Sequence, residues 1–389
     1  MVMFLLIATL VLLSINAYIG LRLIRTSALP RRWAIAAWIS VAILAFGPPL
    51  LFMIGRDKGG PAWQEGAHSV GWVLFGIAIV LLPAVVLRDG VAATIDISRW
   101  LRRKPEVDPQ RRLFISRALN VGTLGLTGTA LGLGYAGAVR RAGIKRVSIP
   151  IVDLPDAFAG YTIAQISDTH VSATVRRPEM QAVVDLVSRL HPDLIAFTGD
   201  LVDGHVEHRR DDVAPIADLS APDGVYFVTG NHEYYWDLEG WLGEVTRHGL
   251  IVLENEHRVI ERRGSKLVIA GVPDISLNGT RFSGLGKSDP ALALAGAPSD
   301  AAAKILLAHQ PRSCFAAEKA GFDFQMCGHT HGGQIFPWTI LIHFFHPFVR
   351  GLGKLNNLQV YVNPGSIYWG PPLRLGSPSE VTLFALTRA

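Results

Sequence analysis

Apolar stretches of about twenty residues constrain this chain before any motif does, because a segment of that length crosses a bilayer as a helix. Residues 3–21, 33–54 and 70–87 are such stretches, and residues 119–139 form a fourth, weaker one rich in Gly and Thr. Any one alone would pass for a buried helix of a soluble protein. Three within the first ninety residues argue against that. The mean hydropathy of +0.30 belongs mostly to this front part. Charge is divided the same way. Residues 1–150 carry 18 Lys/Arg against 6 Asp/Glu, a net +12, and the remainder carries 19 against 26, a net −7. A pI near 9.3 would otherwise suggest nucleic acid. The basic charge instead flanks apolar spans, and the acidic part shows no basic patch interleaved with aromatics, so no nucleic-acid partner is expected.

Loop charge orients the spans. Arg22, Arg25, Arg31 and Arg32 lie between the first two, and seven basic residues from Arg99 to Arg117 lie between the last two. Only Arg56 and Lys58 separate the second from the third. The basic loops should be cytoplasmic and the amino terminus outside, so a fourth crossing puts residues 140–389 outside the cytoplasm. Arg140, Arg141, Lys145 and Arg146 weigh mildly against that crossing. Arg111-Arg112 before the weak span and Ala136-Gly137-Ala138 at its end resemble a twin-arginine signal with a cleavage site, and equally an ordinary juxtamembrane pair. The expected plan is a transmembrane region over 1–139, a linker over 140–150 and a folded domain over 151–389. The expected location is multi-pass in a cytoplasmic membrane, with that domain on the outer face. Two cysteines, Cys314 and Cys327, exclude a disulfide scaffold and read as buried thiols.

The domain has its own signature. Apolar runs at 161–167, 194–198, 225–229, 304–308 and 324–327 each end in a polar cluster. The clusters are Asp168-Thr169-His170, Gly199-Asp200-Leu201-Val202-Asp203, Gly230-Asn231-His232-Glu233, His309, and Gly328-His329-Thr330-His331-Gly332. Short apolar runs bounded by turns suit a buried parallel sheet, and ligands gather beyond the carboxyl ends of such strands. Set in a tight turn between small residues, or read as an extended segment, the two histidines of the last cluster could aim both imidazoles at one point. Asp168, His170, Asp200, Asn231, His309, His329 and His331 make seven oxygen and nitrogen donors without sulfur. That set suits Mn, Fe or Zn and is too large for one ion. Two divalent ions sharing a bridging carboxylate, with Asp200 the natural bridge, would use it, and such pairs suit attack of metal-activated water on phosphorus.

In this order the motifs D-x-H, G-D-x-x-D, G-N-H-[DE], H and G-H-T-H-G-G resemble the calcineurin-like metallophosphoesterases, and within them the membrane-associated YkuE/YaeI-type phosphodiesterases. The resemblance covers roughly residues 148–389. It implies an α/β fold of two packed mixed β-sheets flanked by helices, here preceded by an all-α transmembrane region of about four helices. It assigns Asp168, His170 and His331 to one metal and Asn231, His309 and His329 to the other, with Asp200 bridging. His232 would face the phosphate as the catalytic group that protonates the leaving oxygen. Glu233 stands where many members have aspartate, and Asp203 would support the turn or a histidine.

The implied activity is a metal-dependent phosphoric ester hydrolase, with a membrane lipid or another phosphorylated small molecule as substrate. A UDP-diacylglucosamine-type pyrophosphohydrolase, which would have to work on the cytoplasmic face, and a non-catalytic phospho-ligand sensor are the competing readings. Tyr234-Tyr235-Trp236 reads as a pocket wall or as cover for the domain edge. The run Phe336-Pro337-Trp338 to Phe348 is apolar but too short to span. It reads as an interfacial loop or as packing over the site. His343 and His346 within it read as structural, and His205 and His208 as part of a solvated loop. A helix is expected over 178–190, with further strands at 267–272, 359–362 and 381–386.

Overall fold

The computed structural model describes residues 2–54, 62–103, 108–277 and 287–389. The chain divides into two units, Met1–Ala136 with Gly370–Leu373, and Gly137–Trp369 with Arg374–Ala389.

The first unit is helical: α1 (Val2–Leu23), α2 (Arg31–Ile54), α3 (Ala62–Leu101) and α4 (Pro109–Val139), which runs on into the second unit. Among the described residues three helical stretches are long and apolar enough to cross a membrane, Leu6–Ser27, Arg31–Ile54 and Trp63–Leu101. The fourth expected span is also a helix, but it falls short in apolarity because Gly and Thr replace the large aliphatics. Large apolar side chains such as Ile39, Phe46 and Leu50 point outward. Inside, Ile19, Leu81 and Val85 pack together. The ionisable residues gather at one level: Arg22 and Tyr18 of α1 meet Asp89 of α3, and Arg88 donates to Asn120 of α4 at 3.0 Å.

Among the described residues the second unit holds twelve strands: β1 (Gly143–Ile151), β2 (Thr162–Ile166), β3 (Leu194–Phe197), β4 (Val225–Phe227), β5 (Ile251–Val252), β6 (Glu256–Arg262), β7 (Ser265–Gly271), β8 (Ala303–Leu307), β9 (Phe324–Cys327), β10 (Gly351–Leu355), β11 (Leu358–Val362) and β12 (Glu380–Arg388). They form two six-stranded sheets, ordered β1-β12-β2-β3-β4-β5 and β10-β11-β9-β8-β7-β6. Both are mixed. The strands β2 to β5 run parallel, as do β7, β8, β9 and β11, with antiparallel partners outside.

Alternation along the strands builds the layers. Ile305 and Leu307 of β8 point between the sheets, where they meet Ile163, Leu194, Phe324 and Phe384. Leu306, between them, points outward to Cys314, Ala317 and Phe322 beside α10 (Cys314–Ala320). The other outer face is covered by α5 (Arg177–Ser188), α6 (Val206–Val213) and α8 (Leu238–Arg247). Pro178 in the first turn of α5 needs no hydrogen-bonded N–H, Glu179 takes the Arg176 N–H at 2.9 Å, and Met180, Val183, Val184 and Val187 form its buried stripe.

At the amino ends of the strands the sheets are clamped together. Arg262 of β6 donates to Asp193 at 2.9 Å and to Asp223 at 2.7 Å, and lies 4.5 Å over the Tyr161 ring.

Three sequence readings need correction. The stretch 140–150 is no linker, since β1 occupies it and pairs along its length with β12. As an exposed edge strand rich in Lys and Arg it lacked the apolar run that marks a strand. His205 and His208 begin α6, not a loop. The glycine-rich segment from Asn278 to Gly296, whose sequence reads as a loop, lies partly outside the described residues, and Pro290–Ala293 within it forms the short helix α9. Both cysteines are buried free thiols.

Candidate metal centre

All five polar clusters sit where β2, β3, β4, β8 and β9 end, and they meet. His170 Nε2 lies 3.0 Å from His331 Nε2 and 3.6 Å from Asp200 Oδ2, and His331 Nε2 lies 3.4 Å from Asp168 Oδ1. Beside them His309 Nε2 lies 3.0 Å from Asp200 Oδ2 and 3.2 Å from His329 Nδ1. Asp168, His170 and His331 thus form one donor cluster, and Asp200, His309 and His329 a second. Asp200 reaches both. Asn231 begins the short helix α7 (Asn231–Tyr235), and its Oδ1 is buried with no hydrogen-bond partner among the described residues. An orphaned amide oxygen beside crowded imidazole nitrogens and carboxylates fits divalent cations, the hard and borderline ions that take such donors.

The backbone does the aiming. Asp168, His170, Asp200, His329 and His331 all have φ between 45° and 73°, a left-handed conformation costing about 1–2 kcal/mol for each residue with a Cβ. The segment His329-Thr330-His331 is therefore a tight turn and not extended, which is why its two imidazoles enter different clusters. Loop-to-loop bonds hold these turns: Asp168 N–H to Gly199 O at 3.0 Å, His170 N–H to Asp200 O at 3.1 Å, and Gly328 N–H to His309 O at 2.8 Å. Two glycines permit the approach. A Cβ on Gly199 would stand 2.4 Å from the Gly230 nitrogen, and one on Gly328 would stand 2.0 Å from Asp168 Oδ2.

Supporting groups set each ring. His309 Nδ1 donates to the Thr198 carbonyl at 2.8 Å, leaving Nε2 for the cluster. Asp203 contacts His232 Nδ1 closely and lies 3.4 Å from His170 Nδ1, so it does support histidines. His232 Nε2 points to Asp200 Oδ2 at 3.9 Å. Burial alone would favour the neutral imidazole of His232, but Asp203 and Asp200 outweigh it and push the group up to about 10. Burial would raise the Asp203 carboxyl, and the charges of His232 and His170 hold it well below the usual range. Burial pushes His331 down to about 4 and His329 down to about 3, which keeps both rings neutral and able to ligate. Glu233 accepts backbone N–H groups from Gly230, Asp200 and Leu201 at 2.6, 3.1 and 2.8 Å, tying two site loops together.

Several neighbours escaped the sequence reading. Arg374 is buried, donates to Pro364, Ile367 and Ser377 carbonyls, and lies 3.1 Å from His331 Nδ1. Trp369 stands 5.7 Å from the His232 ring, and Tyr235, which the sequence did offer as a pocket wall, stands 5.2 Å from it. Tyr235 is exposed beside the site, whereas Tyr234 is buried with its hydroxyl 2.7 Å from that of Thr229. No motif marks Arg374 or Trp369, which follow the site motifs by some forty residues. His346 sets its ring edge against His329 at 5.3 Å, and exposed His343 turns to the Ile340 carbonyl; neither joins a donor cluster.

Residues 161–333 match the family model of the calcineurin-like phosphoesterases. The chain is 34% identical over 333 residues to a transmembrane protein with metallophosphoesterase domain from Bos taurus, across 82% of this chain and 74% of that one. Its Danio rerio counterpart is 36% identical over 263 residues, 66% of this chain and 60% of that protein. The metallophosphoesterase YkuE of Bacillus subtilis, itself uncharacterised, is 28% identical over 286 residues, 71% of this chain and 97% of YkuE. The chain belongs to the calcineurin-like metallophosphoesterases, a family of metal-dependent phosphoric ester hydrolases, and it joins that domain to helices of membrane-spanning length.

Proposed function

We propose that the protein is a membrane-anchored phosphodiesterase that uses two divalent ions to hydrolyse a lipid-borne or nucleotide-linked phosphoester. One observation carries this: six donors from four loops form two clusters, Asp168-His170-His331 and Asp200-His309-His329, joined where Asp200 Oδ2 lies 3.6 Å from His170 Nε2, and the partnerless Asn231 Oδ1 stands on the fifth loop. Asp168, His170 and His331 would hold one ion and Asn231, His309 and His329 the other, with Asp200 between. Ions held there supply Lewis acidity toward the phosphoryl group and the attacking water; Mn, Fe and Zn match the donor set.

The chain's own residues do the rest. Asp203 fixes His232 through Nδ1 and leaves Nε2 facing the donor clusters. From there His232 would bind a phosphoryl oxygen and deliver its proton to the departing oxygen. Trp369 and Tyr235 flank that imidazole and would line the leaving-group side. A lipid-borne substrate is supported by the helices that keep the domain beside a bilayer.

The deciding experiment is hydrolysis of bis-p-nitrophenyl phosphate against p-nitrophenyl phosphate by the full chain in detergent, with Mn, Zn, Mg or chelator. Diester hydrolysis that needs metal and is lost in His329→Ala is expected; a His329→Ala protein as active as wild type refutes the mechanism. We further propose that the domain faces the outer side of a cytoplasmic membrane, on the loop charges. A carboxyl-terminal reporter active only in the cytoplasm would reverse that and favour a nucleotide-linked lipid substrate.

A further inference from the structure

The segment after the histidine turn is an exposed apolar ridge. From Ile335 the chain enters α11 (Trp338–Leu341) and a 3-10 turn, Ile342–Phe344. Phe344 is 80% exposed and Phe345 64%, and Phe336, Ile340 and Leu341 are exposed beside them. Five large apolar side chains within ten residues form a patch that soluble monomers rarely present unless it binds something. The patch is seated on the site. His346 packs against the His329 ring, and the Thr330 hydroxyl donates to the Val349 carbonyl at 2.6 Å.

Charge says what covers it. Residues 324–379 contain no Asp or Glu, in a part of the chain that is net −7. Two exposed cations border the ridge. Arg312 donates to the Phe345 carbonyl at 2.9 Å and Arg350 to the Gly376 carbonyl at 3.0 Å. Among the described residues neither pairs with a carboxylate. Apolar rings standing out between unpaired cations match the headgroup boundary of an anionic bilayer, where aromatics enter the acyl edge and cations meet phosphates. The same chain carries helices of membrane-spanning length, so its folded domain stays near such a surface.

We propose that residues 336–345 insert into the headgroup region of the membrane that anchors the chain, so that the metal centre works at the lipid surface. This deepens the reading of the site as one acting on a lipid-borne phosphoester.

The test uses the full chain in vesicles of phosphatidylcholine and phosphatidylglycerol in equal parts. Both native cysteines are buried, so an environment-sensitive fluorophore can be placed selectively on Phe344→Cys, or on Ser299→Cys just before β8, at the strand ends remote from the site. The expected result is a blue-shifted Phe344→Cys emission that lipids with a nitroxide near the acyl carbonyl quench at least threefold more than the Ser299→Cys emission. Equal quenching at both positions overturns the proposal. So does a blue shift without lipid quenching, which would mean that protein, from this chain or a second copy, covers the ridge. Metal-dependent hydrolysis of bis-p-nitrophenyl phosphate by the same labelled protein needs no membrane contact, so failure of the site reading registers separately.

Discussion

Asp203 is the position where a single atom exchange tests the proposed centre most sharply. Its carboxylate serves two imidazoles, His232 Nδ1 through Oδ1 and His170 Nδ1 through Oδ2 at 3.4 Å. Asp203→Asn keeps the volume, removes the charge and leaves one oxygen for two rings. The ring left facing the amide N–H must accept at Nδ1 and carry its own proton on Nε2. The closer contact is with His232, so the amide oxygen should stay there and the amide nitrogen should turn to His170. His170 Nε2, 3.0 Å from His331 Nε2, would then bear a proton where the proposal needs a lone pair. Losing the group behind a ligating histidine typically weakens metal affinity or activity by about 10–100-fold, or about 1.4–2.7 kcal/mol. The assay is the Mn activation curve for bis-p-nitrophenyl phosphate. Half-activation should move up by at least about tenfold, and the rate at saturating Mn should fall as well, because His232 loses the carboxylate that holds it protonated. A curve superimposable on wild type would refute the assignment of Asp203 as the group that orients His170.

Three further outcomes are expected. Mn should stabilise the chelator-treated chain by about 2.7 kcal/mol at a hundredfold excess over its dissociation constant, read as a higher thermal midpoint, and an unchanged midpoint would count against a preformed centre. Arg262→Met should cost about 1–2 kcal/mol, since Asp193 and Asp223 remain partly hydrated, read as a midpoint lower by roughly 2–8 °C. Burial raises the Asp193 carboxyl, but Thr162 and Arg262 outweigh it and hold the group below its ordinary value. Its stabilisation is therefore present above the unfolded pKa and lost as pH falls through the folded one. Without Arg262, acid unfolding followed by tryptophan fluorescence should begin at higher pH. Trp241→Phe removes the buried indole donor that meets the Gly204 carbonyl at 2.9 Å. It should cost about 1–2 kcal/mol in urea titrations, and a neutral result would mean that the loop after Asp203 does not lean on α8.

The donor clusters were legible because each follows an almost fully buried strand. The runs ending at Ile166, Phe197, Phe227, Leu307 and Cys327 are mostly apolar, with Gln165, Lys304 and Gln325 as interruptions, and turn residues stand where the chain must reverse. Strands without that contrast were missed. The strand β1 is basic and exposed, and β6, Glu256 to Arg262, sets only Val259 and Ile260 among polar and charged residues at a sheet edge. The left-handed turns were not legible either. Aspartate and histidine carry no mark of positive φ, so His329 and His331 read as extended neighbours although the turn sends them into separate clusters. Arg374 is a case of pure tertiary context, for its guanidinium is held by the Pro364, Ile367 and Ser377 carbonyls, which no local pattern announces.

The centre draws three loops from one sheet and two from the other. A nascent chain therefore has no complete donor set until both sheets have formed and closed on each other. An ion met earlier, with only the loops after β2, β3 and β4 in place, would find Asp168, His170, Asp200 and Asn231 but neither His309, His329 nor His331, and would exchange freely. On the proposed two-ion reading, ion retention would report on maturation: among the chains made, those that keep metal through a desalting step should be the ones whose last strands have docked.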